Sequence, residues 1–131
     1  MGRNKQSLIY IDTHIVVWLY AGLTHKLTEV AKKSIENFDI LISQMVRLEL
    51  KYLFEIGRIT ATPPEIIKDL SKSINLKTSD CSLREIINEA LKIDWTRDIF
   101  DRLLTAEAKI QKSGFITADE IIRVNYRHAI W

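Results

Sequence analysis

Four carboxylates in this chain occupy positions from which acids could act together: Asp12, Glu49, Asp101 and Asp119. Asp12 ends the apolar run Leu8-Ile9-Tyr10-Ile11 and precedes a helical pattern. That is the carboxyl end of a strand, where open α/β sheets hold their ligands. Glu49 lies in mid-helix, two residues from both Arg47 and Lys51, and so points roughly 200° away from those solvated cations. A carboxylate turned toward an apolar region is costly unless it is paired or metal-bound. Asp101 falls in the first turn of a helix expected from residue 99, and Asp119 follows Phe115-Ile116-Thr117 by two residues. Four acids converging at one edge would repel one another strongly, and a divalent cation is the natural way to hold them. Oxygen donors without a Cys/His set favour Mg²⁺ or Mn²⁺ over zinc.

Each acid except Glu49 also has a purely structural reading. Asp12 suits the N-cap of the helix that follows it. Asp98 and Asp101 suit an N-cap and its third-position partner, and Thr117 with Glu120 matches a capping box in which Asp119 favours the helix dipole. His14 reads as a residue satisfying a local hydrogen bond rather than as a general base. Trp18, Tyr20 and Tyr52 read as core or dimer-contact aromatics. The single cysteine, Cys81, excludes an internal disulfide and reads as a structural or surface thiol.

The elements that must position the acids follow from periodicity. Residues 8–11 form a first strand, 13–21 an apolar helix stopped by Gly22, and 27–38 a second helix capped at Thr24 or Thr28. Residues 39–43 form a second strand. Helix 44–58 follows, with Arg47, Lys51, Glu55 and Arg58 as its solvated stripe and Met45, Tyr52, Leu53 and Ile56 as its buried face. Two prolines open a helix over 64–73, and 74–78 alternates as a weak edge strand. Ser82-Leu83-Arg84-Glu85 opens a helix to about residue 93, and a further helix spans about 99–112. Gly114 turns the chain into strand 115–117, followed by a short helix over 119–124 and a last strand over 128–131.

This order predicts an α/β domain of three layers, α/β/α, with a mostly parallel sheet of roughly five strands, in a single domain over residues 1–131. The near-continuous apolar strands fit parallel pairing buried on both faces. A length of 131 residues suffices for a sizeable core, and a net charge of +2 permits an anionic partner without requiring one. Arg3 and Lys5 before an apolar run imitate a signal peptide, but Asp12, Thr13 and His14 interrupt it. The remainder is too short to span a bilayer, so a soluble cytoplasmic protein is expected.

The arrangement resembles the PIN-domain family and, within it, the VapC-type toxins of toxin–antitoxin pairs. The matching segments are Ile11-Asp12-Thr13-His14-Ile15-Val16-Val17-Trp18-Leu19, Glu49 with Gly57 eight residues on, Arg97-Asp98-Ile99-Phe100-Asp101-Arg102-Leu103-Leu104-Thr105-Ala106, and Phe115-Ile116-Thr117-Ala118-Asp119. They occur in the family's order, with Ile99 where the subfamily usually has proline. The resemblance implies a metal-dependent endoribonuclease, with Asp12, Glu49, Asp101 and Asp119 as catalytic metal ligands for Mg²⁺ or Mn²⁺. Asp98 would be an auxiliary acid, Thr13 and Thr117 would orient ligands or water, and Arg97 and Arg102 would meet the RNA backbone, although Arg102 equally suits pairing with a neighbouring acid. It also implies a homodimer inhibited by a small VapB-like antitoxin. The alternatives that keep this fold are an RNA-processing domain that is no toxin, or a catalytically silent binding module. A haloacid-dehalogenase-like phosphatase would need a second Asp where His14 stands, and a receiver-like phosphoacceptor would need an Asp where Thr78 and Ser79 stand.

Overall fold

The computed structural model describes residues 7–131; Arg3 and Lys5 lie outside them. The order of elements is β1 (Leu8–Ile11), α1 (Thr13–Tyr20), α2 (Glu29–Asn37), β2 (Asp39–Ile42), α3 (Gln44–Glu55), α4 (Pro63–Ile74), β3 (Lys77–Thr78), α5 (Leu83–Ala90), α6 (Ile99–Ile110), β4 (Gly114–Ile116), α7 (Glu120–Asn125) and β5 (Ala129–Ile130). The strands form one sheet in the order β3-β2-β1-β4-β5, and every pairing is parallel. The expected α/β architecture is therefore present, with parallel pairing throughout.

From β1 the chain moves outward through β2 to β3, then returns to the other side of β1 for β4 and β5. The direction of winding thus reverses between β1 and β4. In open parallel sheets that switch point leaves a crevice beyond the carboxyl ends of the strands. Ile9, Tyr10, Ile11, Ile40, Ile42, Phe115 and Ile116 are all buried, so the central strands are covered on both faces. Burial of such side chains contributes about 1.5–3 kcal/mol each and fixes the register of β1 against β4. The ladder continues one residue past β1, where the Asp12 N–H donates to the Ile116 carbonyl at 2.9 Å.

Helix starts follow local cap chemistry. Thr28, Ser43, Thr62 and Ser82 each accept a backbone N–H in the first turn of the helix they precede. Thr62 and Glu65 complete a reciprocal capping box, so α4 begins at Pro63 rather than at Pro64 and runs to Ile74. The edge strand expected over 74–78 shrinks to Lys77–Thr78, because Asn75 takes a left-handed conformation (φ 57°) that ends α4. Gly114 is not a turn. It is the first residue of β4, where an added Cβ would meet Ile130 Cδ1 at 2.7 Å and Ile9 Cγ2 at 3.0 Å.

The buried face of α3 also differs from expectation. Tyr52 and Ile56 are 51% and 48% exposed, and Val46 and Leu50 are the residues fully inside. A helix contacting its neighbours along a narrow seam buries the i, i+4 pair at its centre and leaves the flanking apolar positions open. With Leu48, also exposed, Tyr52 and Ile56 form an apolar stripe at i, i+4 and i+8. Among the described residues no helix is long and apolar enough to cross a membrane.

Candidate active site

β1 and β4 lie side by side and in register, so the residues after them emerge together at the switch point. Asp12 follows β1 and is 6% exposed. Its Oδ1 accepts the Thr13 N–H at 2.8 Å, capping α1, and its Oδ2 accepts the Thr117 hydroxyl at 2.6 Å. Thr117, fully buried after β4, accepts the Asp119 N–H on the same oxygen at 3.0 Å. Asp119 is itself the N-cap of α7 through Ile122, so the capping box expected between Thr117 and Glu120 does not form. One threonine hydroxyl therefore ties the ends of β1 and β4 together.

Replacing Thr117 by Val keeps the volume and removes both bonds. We expect a loss of about 1–3 kcal/mol for each buried partner left unsatisfied, read by urea denaturation. Any activity that depends on Asp12 should fall roughly 10–100-fold, as when a group orienting a ligand is removed.

Two further acids arrive on helices. Glu49 lies half-buried on α3, and its Oε1 accepts the Thr13 hydroxyl at 2.5 Å. The inward direction expected for Glu49 thus has a partner, contributed by the residue next to Asp12. On the other side, Asp98 caps α6 by accepting the Asp101 N–H at 2.9 Å, which sets Asp101 in the first turn. The capping readings of Asp12 and Asp98 are realised, Asp119 caps α7 in place of the expected Thr117–Glu120 box, and capping occupies only one oxygen of each carboxylate.

Electrostatics link these groups. Burial first, and then the charges of Asp98, Asp12, Asp119 and Glu49, push the Asp101 carboxyl up to about 7. Burial raises Asp12 as well, against the opposing hydrogen bonds from Thr117 and Thr13, with His14 lowering and Asp119 raising it further. Glu49 is raised by burial and by Asp12, opposed by the Thr13 hydroxyl. Charges that shift one another in this way stand in a shared field of low dielectric. Among the described residues no three acidic, imidazole or thiol groups already stand at metal-coordination spacing. The donor chemistry nevertheless fits a hard divalent cation, because all four groups are carboxylates, and burial and neighbouring acids penalise the ionised forms of Asp12, Glu49 and Asp101.

The remaining residues singled out by sequence divide. Arg102 Nε donates to the Thr96 carbonyl at 2.7 Å and braces the loop before α6, instead of pairing with an acid. Arg97 is exposed beside the capping Asp98. Among the described residues His14 makes no local hydrogen bond of the kind expected of it. It is exposed, its ring stands 6.3 Å from that of Trp18, and its charge lowers both Asp12 and Glu49. Its place two residues after Asp12, in the first turn of α1, was the available signal.

The sequence model described as PIN domain matches residues 9–127. No curated sequence relative matches the chain. Among solved structures, a toxin–antitoxin complex from Klebsiella pneumoniae superposes with a TM-score of 0.65 at 16% identity, covering 94% of this chain and 96% of that one. VapBC2 from Rickettsia felis, bound to a DNA fragment from its promoter, superposes with a TM-score of 0.62 at 16% identity, covering 89% and 92%. At that identity the two structures establish a shared fold.

Proposed function

The chain belongs to the PIN-domain family, a family of nucleases in general, and from this premise we propose that it is a metal-dependent endoribonuclease serving as the toxin of a toxin–antitoxin pair. The reading is supported by Asp12 and Asp119, tied through Thr117 where the winding of the sheet reverses, and by Asp101, whose carboxyl is raised by burial and by the charges of Asp98, Asp12, Asp119 and Glu49.

In this reading those four carboxylates hold Mg²⁺ or Mn²⁺. When bound, such an ion activates water and stabilises charge on a scissile phosphodiester. The chain's own residues do the positioning. Thr117 fixes the Asp12 carboxylate and the start of α7 from a single oxygen. Thr13 holds Glu49 across the site, so α1 and α3 present their acids as a unit. Asp98 anchors the first turn of α6 and adds negative charge beside Asp101, which favours a cation there. Arg97, exposed at this rim, is placed to meet a phosphate of the strand.

The toxin half of the proposal draws on the two structures that share the fold, one described as a toxin–antitoxin complex and the other as VapBC2 on a fragment of its promoter. The exposed apolar stripe Leu48, Tyr52 and Ile56 along α3 and its C-cap, and Ile87, Leu91 and Ile99 on α5, its C-cap and α6, would offer surface for a second copy and for a small antitoxin. Induced expression tests this half. Wild-type chain should arrest growth, and the Glu49→Gln variant at equal abundance should not. Normal growth with abundant, nuclease-active wild-type protein would overturn the toxin role and leave an RNA-processing nuclease.

A further inference from the structure

Away from the acids, a groove of about 480 Å³ runs between the loop before α6, the flank and end of α6, and the turn from α7 into β5. Its floor is apolar and aromatic, formed by Ile93, Trp95 and the buried Tyr126, whose hydroxyl is committed to the Ser113 carbonyl. Lys112 and Arg127 line it, and neither has an ion pair among the described residues. Lys109, also on the wall, is engaged with Glu89 at 3.2 Å. Thr105 contributes a further polar group to the wall. It is 2% exposed and its Oγ1 has no hydrogen-bond partner among the described residues.

We propose that this groove is a second contact for single-stranded RNA, with a base against the half-buried Trp95 and the adjoining phosphates on Lys112 and Arg127. An aromatic floor with unpaired cations at its mouth matches the two features every nucleotide presents, a π-face and a phosphate. An acidic peptide would satisfy the cations and leave the floor uncovered. The volume suits a single nucleotide-sized ligand. The placement connects the groove to the acids, because Asp101, Thr105 and Lys109 recur at i, i+4 and i+8 along one stripe of α6. Each step rises about 6 Å, so the groove begins one turn beyond Asp101 and continues to a point about 12 Å along the helix. Lys112 and Arg127 precede β4 and β5 at the amino edge of the sheet, so the groove would hold a strand at the far end of α6 from the acids. The inference rests on the nuclease reading only in naming the strand as RNA.

The test is binding of a fluorescent single-stranded RNA decamer to the full chain, in EDTA and in an Asp12→Asn background that prevents cleavage. Adding Lys112→Glu and Arg127→Glu together should weaken binding at least tenfold. The salt dependence should flatten by about 1.4 in log–log slope, the contribution of two phosphate contacts on a single strand. The Lys112→Ala and Arg127→Ala pair, checked for an unchanged thermal melt, should show the same direction with a smaller loss. Trp95→Phe should remove most of the RNA-induced quenching of tryptophan fluorescence. Unchanged affinity and slope in both charge variants would overturn the proposal, as would equal binding of a glutamate-rich decapeptide. Because the assay needs neither metal nor cleavage, a negative result here leaves metal-dependent cleavage by the wild-type chain to be judged separately.

Discussion

Asp12→Asn should lower metal-dependent RNA cleavage by about 10³-fold, the scale of losing a principal electrostatic group at a reacting phosphate. The same substitution should leave the fold intact and slightly more stable without metal. Asparagine can still accept the Thr13 N–H and cap α1, its Nδ2 can donate to the Thr117 oxygen in place of the bond Oδ2 accepted, and it removes a carboxylate that burial at 6% exposure disfavours in its charged form. Function and stability moving in opposite directions would mark Asp12 as retained for chemistry. Single-turnover cleavage beside a thermal melt in EDTA reads both. A variant that lost activity by unfolding would fail this expectation.

A second large effect concerns pH. The Asp101 carboxyl is raised from 3.8 to about 7, so the folded state binds a proton more tightly than the unfolded chain does. Its contribution to stability is therefore complete below pH 4, and is lost as pH rises toward and through 7. Taken in full the shift is worth about 4 kcal/mol, and screening of a half-buried group reduces that to about 2. The metal-free protein should melt roughly 6–10 °C lower at pH 8 than at pH 4 from this group alone. Asp12 and Glu49 are raised as well and act in the same direction. Asp101→Asn should flatten the profile and exceed the wild type at pH 8. Added Mg²⁺ or Mn²⁺ should stabilise the wild type more at pH 8 than at pH 5, since ionised ligands are what bind. Scanning calorimetry across pH, with and without the cations, decides it. Equal melting temperatures at pH 4 and 8 in EDTA would contradict the coupling of these acids.

The sequence carried the strands and the acids because both depend on local pattern. β1, β2 and β4 are continuous apolar runs, and Asp12 and Asp119 come just after two of them. Glu49 was legible because helical periodicity alone turns it from Arg47 and Lys51. What escaped depends on contacts between distant segments. The double use of the Thr117 hydroxyl joins residues 105 positions apart, and only the parallel register of β1 and β4 creates it. The role of Gly114 comes from Ile130 and Ile9 pressing on it, so its conformation did not require glycine while its neighbours did. Tyr52 and Ile56 satisfied the apolar period of α3, yet periodicity cannot say how wide the packed seam will be. Glu107 gave no signal either. It is 1% exposed on α6 with Oε2 unpartnered among the described residues, facing the phenol of Tyr10.

The most direct test is incubation of total RNA with the purified chain in Mg²⁺ or Mn²⁺ and, in parallel, in EDTA. Discrete fragments that form with the cation, vanish in EDTA and are absent with Asp12→Asn are the predicted result, and their ends identify the cleaved sequence. Fragments that persist unchanged in EDTA, or with Asp12→Asn, would contradict a nuclease centre built on these acids.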